Sequence, residues 1–221
     1  TPYCTLCQHE GRENVVSDVT YILGGCPSET LRKLHCIRHD QTVDRVFDSI
    51  VRGNRGAATV LHDTGKYQDM YDNRNKHPLP QYLHSKQITD RRAVRRPDIV
   101  LIFRVRGDKK LPEAFVPLGK GDDKRILILE ISYTALGLMN ARTEDGRRKY
   151  EDTLKGLRED GWEPELYTLV LGTLGEIPST AVQVLEEMGV RGTELDKLIE
   201  DIHMIAVGKA DECIQEEISR H

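Results

Sequence analysis

Two β-branched-rich runs, DIVLIFRV at 98–105 and RILILEISY at 125–133, constrain this chain more than any other feature of it. Short apolar runs of this kind, separated by a charged, turn-forming segment, predict neighbouring strands. Each run brings an acid with it: Asp98 opens the first and Glu130 sits inside the second. An unpaired charge is costly in such a place. Acids at the start of one central strand and within its neighbour can converge, and converging carboxylates form a site for a hard divalent cation whose charge offsets their desolvation. Mg2+ keeps several waters and takes few protein ligands, so Asp98, Glu130 and a strand carbonyl such as that of Ile131 suffice. An ion held there lowers the pKa of a bound water and neutralises charge growing on a phosphate.

The remaining patterns surround these strands with helices. RHDQTVDRVFDSIVRG spaces Val43, Val46, Phe47 and Ile50 at helical period and stops at Gly53, with His39 and Asp40 expected at its N-terminal end. A second helix is expected through Tyr150, Leu154 and Leu157 as far as Gly161, then a strand in PELYTLVLGTLG, a helix opened by Pro178 and Ser179, and a long terminal helix from Thr193. GAATVLHD and PQYLHSK are weaker patterns, read either as a hairpin or as irregular structure. The order predicts an α/β fold with a mixed central sheet.

Four of the five cysteines, Cys4, Cys7, Cys26 and Cys36, crowd near the N-terminus. In a reducing compartment such crowding points to metal more than to disulfides. Cys4-x-x-Cys7 is a half-site for tetrahedral zinc, and Cys26 can supply a third thiolate. For the fourth ligand His9, His35, Cys36 and His39 are candidates, with Cys36 preferred.

Residues 1–37 are thus expected to form a small zinc-knuckle-like module, and residues 38–221 the main domain.

The formal charge of -4, with 31% charged residues, excludes a basic nucleic-acid tail and a disordered acidic chain. Charge distribution says more. Residues 86–110 carry nine Lys and Arg against Asp90, Asp98 and Asp108, a local patch suited to phosphates. No apolar run approaches the roughly 18 residues of a membrane span, and TPYCTLCQHE lacks a signal-peptide pattern, so an intracellular protein with no membrane partner is expected. The start without Met, almost directly on a Cys pair, predicts a piece of a longer protein.

RPD at 96–98 followed by EIS at 130–132 resembles the signature of the PD-(D/E)XK nucleases, with Ser132 where the family most often has Lys. Some members carry that lysine on the following helix, where Lys149 in RRKY stands, with Lys155 as the alternative. The wider arrangement, CTLC then TYILGGCP, RHD, RRPDIV, LEISY, RRKY and LVLGTLGEIPSTAVQVLEEMGV, resembles the C-terminal segment of non-LTR retrotransposon proteins that carry a restriction-like endonuclease.

The resemblance covers nearly the full length. It implies a restriction-endonuclease-like sheet flanked by helices, Asp98 and Glu130 as ligands of Mg2+ or Mn2+, Lys149 as catalytic base or electrostatic stabiliser, and Tyr150 packed beside the site. It also implies a DNA endonuclease that nicks double-stranded target DNA and leaves a 3′-hydroxyl to prime reverse transcription. The reverse transcriptase domain of the same polyprotein would be its partner, element RNA a further one, and the nucleus its location. Arg95, Arg96, Arg147 and Arg148 would contact backbone phosphates, giving salt-sensitive binding with little base information.

Two departures stand out. The family's zinc-binding histidine, by its spacing from the last cysteine, would fall on Tyr21. The connection between the two acids is longer than is common, which an inserted β-hairpin at 106–124 would accommodate. Other readings are an inactive endonuclease-like module that only binds nucleic acid, and a viral cap-snatching endonuclease using His62 or His84.

Overall fold

The computed structural model describes residues 3–12, 15, 18–54, 58–62, 97–105, 123–159 and 161–219. At its centre is a four-stranded sheet in the order β1 (Ala58–His62), β2 (Ile99–Val105), β3 (Asp123–Thr134) and β4 (Glu163–Gly172). β1, β2 and β3 are antiparallel neighbours, whereas β3 and β4 run parallel. A parallel pair needs a long crossover. Here it is the helix Met139–Glu159, which follows a single 3-10 turn at Leu136–Leu138.

The two central runs are apolar on successive residues because both faces of the sheet are covered. Ile99, Leu101, Leu127, Leu129 and Ile131 face a core that takes in Val43, Val46, Ile50, Leu195, Leu198 and Ile202. Val100, Ile102, Ile126 and Ile128 face the other way, against Leu157, Leu154 and Trp162. The mixed α/β architecture and the strand assignments for both runs agree with the sequence reading. GAATVLHD forms β1, while PQYLHSK and most of the expected hairpin at 106–124 lie outside the described residues.

The helices are α1 (Thr5–His9), α2 (Glu29–Asn54), α3 (Met139–Glu159), α4 (Ser179–Glu187) and α5 (Thr193–Ile218). α2 corrects one expectation. It begins ten residues before His39, where the buried Ser28 hydroxyl accepts the Leu31 N–H at 3.2 Å, so His39 and Asp40 lie in mid-helix. It also runs unbroken through the boundary expected between residues 37 and 38. The early turns escape the periodicity reading because the buried stripe there contains a charge. Arg38 is 3% exposed, donates to the carbonyls of Thr173 (3.2 Å) and Leu23 (3.1 Å), and lies 4.3 Å above the Tyr133 ring.

Gly53 lies within the last turn of α2 and does not end it; a Cβ there would come within 2.3 Å of the Gly189 carbonyl oxygen. The glycine lets the helix end pass close to that turn.

α5 buries a continuous stripe of Leu195, Leu198, Ile202, Ala206, Ala210, Cys213 and Glu217 at three- and four-residue spacing. Its first half belongs to the main core, and Ala210 and Cys213 belong to a second cluster around Cys4, Cys7, Cys26, Leu23 and Leu31. Among the described residues, no helix is long and apolar enough to cross a membrane.

Candidate active site and metal centre

Strand register brings the two acids together. Ile99 pairs with Leu129 across β2 and β3, so the next step outward sets Asp98 opposite Glu130. Directly opposed residues of an antiparallel pair project to the same face. That face, shared with Val100, Ile126 and Ile128, is the one α3 covers. Both acids are 9% exposed. Asp98 Oδ2 accepts the Ile131 backbone N–H at 2.6 Å, which ties the start of β2 to β3.

α3 supplies the partners of Glu130. Lys149 Nζ donates to Oε1 at 2.5 Å and the fully buried Tyr150 hydroxyl donates to Oε2 at 2.6 Å. α3 reaches the sheet because Gly146, one turn before Tyr150, faces Thr168 of β4, itself paired with Glu130; a Cβ at Gly146 would lie 2.7 Å from Thr168 Cγ2. Burial raises the Glu130 pKa, and the charge of Asp98 pushes in the same direction. Lys149 and Tyr150 offset only part of the rise. Ser132, two residues along β3, shares the Glu130 face and is buried, so the lysine ammonium arrives from the helix beside the strand position that serine fills. Lys155 is exposed further along α3.

His39 completes the group, and the sequence reading had assigned it to a helix start. Its Nε2 lies 3.3 Å from Asp98 Oδ1 and its Nδ1 3.2 Å from Asp40 Oδ1. Burial works against a charged ring, but the hydrogen bonds and charges of Asp40 and Asp98 outweigh it and lift the His39 pKa to about 10. The imidazolium is therefore the charged form in the folded chain at neutral pH. The missed signal was Pro27-Ser28-Glu29, a helix-opening pattern that fixes the phase of α2 and with it the place of His39.

His62 pairs with Ile99, which faces the opposite side of the sheet from the acids, and its ring stacks on Phe47 at 3.8 Å. His84 lies outside the described residues, as do Arg95 and Arg96. Arg147 and Arg148 project from α3 into solvent, paired with Glu144 (2.7 Å) and Asp145 (2.6 Å). Exposed pairs of this kind are weak, so both guanidinium groups can exchange their partners for phosphate.

In the N-terminal cluster, Cys4, Cys7 and Cys26 form the one set of three or more His, Cys, Asp or Glu residues, among those described, whose ligand atoms all lie within 4.8 Å of one another. Cys4 precedes α1 and accepts the Cys7 N–H on its sulfur at 3.4 Å, so one tight turn aims both thiols inward. Gly11, at φ 76°, reverses the chain after α1. Cys26 Sγ lies 3.7 Å from Cys4 Sγ and 3.5 Å from Cys7 Sγ. Zinc–thiolate bonds of about 2.3 Å at a tetrahedral angle set sulfurs about 3.8 Å apart. The three thiols can therefore hold a metal ion such as zinc, in a module compatible with a zinc knuckle.

Burial raises the pKa of Cys4 and Cys7, so a metal must displace their protons. Glu217, which sequence reasoning did not single out, docks the end of α5 on this turn. Its carboxylate accepts the Thr5 and Leu6 N–H groups at 2.8 and 3.4 Å and lies 3.6 Å from Cys4 Sγ.

Cys36 is not part of the group. It is exposed on α2 because the helix turns Leu31 and Arg38 inward, and Cys36 falls on the far side from both. His9 is exposed, His35 Nε2 engages the Ile22 carbonyl at 3.1 Å, and His39 is at Asp98.

The chain is a mixed α/β protein with a small mixed sheet flanked by helices and a three-cysteine cluster on its N-terminal side. Compared with known proteins, it matches no family model and no curated protein.

Proposed function

We propose that this chain is a divalent-metal-dependent DNA endonuclease of the PD-(D/E)XK kind, nicking double-stranded DNA as part of a non-LTR retrotransposon protein. The observation that carries the reading is Lys149 reaching Glu130 from α3 at 2.5 Å, while Glu130 faces Asp98 across β2 and β3. Two acids and a lysine converge on one sheet face although the lysine is absent from the strand.

In this reading Asp98, Glu130 and the Ile131 carbonyl would hold Mg2+ or Mn2+, which when bound would supply an acidified water and positive charge at the phosphate. Lys149 would exchange Glu130 for the water or a phosphate oxygen, orienting the first or stabilising charge on the second. Tyr150 keeps Glu130 aimed through Oε2, and His39 keeps Asp98 aimed through Oδ1. In-line attack leaves a 5′-phosphate and a 3′-hydroxyl. The 3′-hydroxyl is the end a reverse transcriptase extends, which fits a partner domain in the same polyprotein, element RNA as template and a nuclear site of action. Arg147 and Arg148, with Arg95 and Arg96, would grip backbone phosphates in a salt-dependent manner.

Supercoiled plasmid incubated with the chain and Mn2+ tests this. Nicked circles are expected, and Asp98→Ala and Glu130→Ala should abolish them; nicking that survives both changes rejects the assignment.

One observation favours a second reading, a nucleic-acid-binding module without catalysis. All four carboxylate oxygens of Asp98 and Glu130 have protein partners: Ile131 N–H, His39, Lys149 and Tyr150. Isothermal titration with Mn2+ separates the two, because a site that cannot exchange these partners for an ion gives no heat.

A further inference from the structure

Three sulfurs leave one corner of a tetrahedron to be filled, and the residue beside it is a tyrosine. Tyr21 opens a π-helical turn, Tyr21–Gly25, that ends on Cys26. The turn is pinned at both ends: Asp18 Oδ1 accepts the Tyr21 N–H at 2.7 Å, and the Cys26 N–H donates to the Tyr21 carbonyl at 2.7 Å. One turn thus places both Tyr21 and Cys26. The ring is half-buried and packs over Gly25, where a Cβ would already lie 3.4 Å from ring carbon Cδ2. The hydroxyl comes to 3.2 Å from Cys7 Sγ.

We propose that the Tyr21 hydroxyl is the fourth donor of the Cys4, Cys7 and Cys26 site, which takes zinc or another thiophilic divalent ion in an S3O environment. The inference rests on reading the three cysteines as a metal site. The other candidate donors are occupied or turned away: His35 is on the Ile22 carbonyl, His39 on Asp98, and His9 and Cys36 are exposed. Glu217 is held by the Thr5 and Leu6 amides and stands outside the set of mutually close ligand atoms. A metal–oxygen bond of about 2.0 Å beside metal–sulfur bonds of about 2.3 Å gives an S···O edge of about 3.5 Å, a small adjustment from the observed contact. On binding, the thiol protons and the phenol proton pass to solvent as the metal bonds form. A phenolate is a poorer zinc ligand than imidazole, so the site is weaker than a Cys3His site on the same scaffold.

Co2+ titration of the reduced full chain under anaerobic conditions tests this. The wild type should bind one ion with thiolate-to-cobalt charge-transfer and tetrahedral d–d bands, together with a rise in tyrosinate absorption. Tyr21→Phe should bind about tenfold or more weakly and shift the d–d bands, and Tyr21→His should bind more tightly than wild type. Unchanged affinity and bands in Tyr21→Phe would remove Tyr21 while leaving the metal site in place. Absence of charge-transfer bands in the wild type would remove both. Should Tyr21→Phe fail to fold, the wild-type tyrosinate signal decides, since metal binding without it overturns the assignment.

Discussion

Lys149 Nζ sits 2.5 Å from Glu130 Oε1, joining the crossover helix to a buried acid in the strand it follows. The ammonium therefore comes from α3, and its position depends on how closely α3 lies against the sheet. Lys149→Met keeps much of the side chain's bulk and removes its charge. Nicking of supercoiled plasmid in Mn2+ should fall by about 10²–10⁴-fold, the range for loss of a positioned proton-transfer group, while Lys155→Met stays near wild type. The reverse order would transfer the role to Lys155.

Tyr150→Phe removes only the hydroxyl on Glu130 Oε2. A buried acceptor left without its partner costs about 1–3 kcal/mol, so the urea midpoint should drop accordingly. An unchanged midpoint would mean that water replaces the hydroxyl and the residue is less sealed than its full burial implies.

Gly146 sets the distance between α3 and β4, since an added Cβ would meet Thr168 Cγ2 at 2.7 Å. Gly146→Val should cost about 1–3 kcal/mol of stability through overpacking and should lower nicking by drawing Lys149 off Glu130. A variant that nicks at the wild-type rate would show that α3 tolerates the displacement without loss of function.

His39 gives a pH dependence whose sign follows from its raised pKa. The folded chain binds this proton more tightly than the unfolded one, so the contribution is fully present below about 6.5 and is lost as pH rises towards about 10. The difference in urea midpoint between wild type and His39→Gln should therefore narrow steadily across that window. A difference that is flat or widens there would place the proton elsewhere.

Zinc should raise the melting temperature of the full chain and a chelator should lower it. At a free metal concentration of 100 Kd the gain is about 2.7 kcal/mol. Cys26→Ser should erase the response and Cys36→Ser should not, because only Cys26 belongs to the close set of thiols.

Much of the acid pair was legible in the sequence for a simple reason. Two strands with a side-chain period of two fix which residues share a face once one register pair is known, and Asp98 and Glu130 fall on the same diagonal as Ile99 and Leu129. A lysine on the helix after the strand, Lys149 beside Glu130, was legible from RRKY at the start of a helical pattern. His39 was not, because the buried Arg38 breaks the apolar stripe of α2 and hides ten residues of helix before it. Cys36 was misplaced by the same error, since without the true start of α2 its face cannot be phased. Glu217 is an acid at the end of an apolar stripe, and nothing local indicates that its partners are amides more than two hundred residues away.

Both α2 and α5 pass without interruption from the cysteine cluster into the core beneath the sheet. They act as two splints, running in opposite chain directions, across any seam drawn near residue 37. A fragment of residues 38–221 would leave the Ala210, Cys213 and Glu217 part of α5's inward stripe facing water. Chemical damage to the cluster's sulfurs would be felt as softening of the whole chain, including the strands that carry the acids.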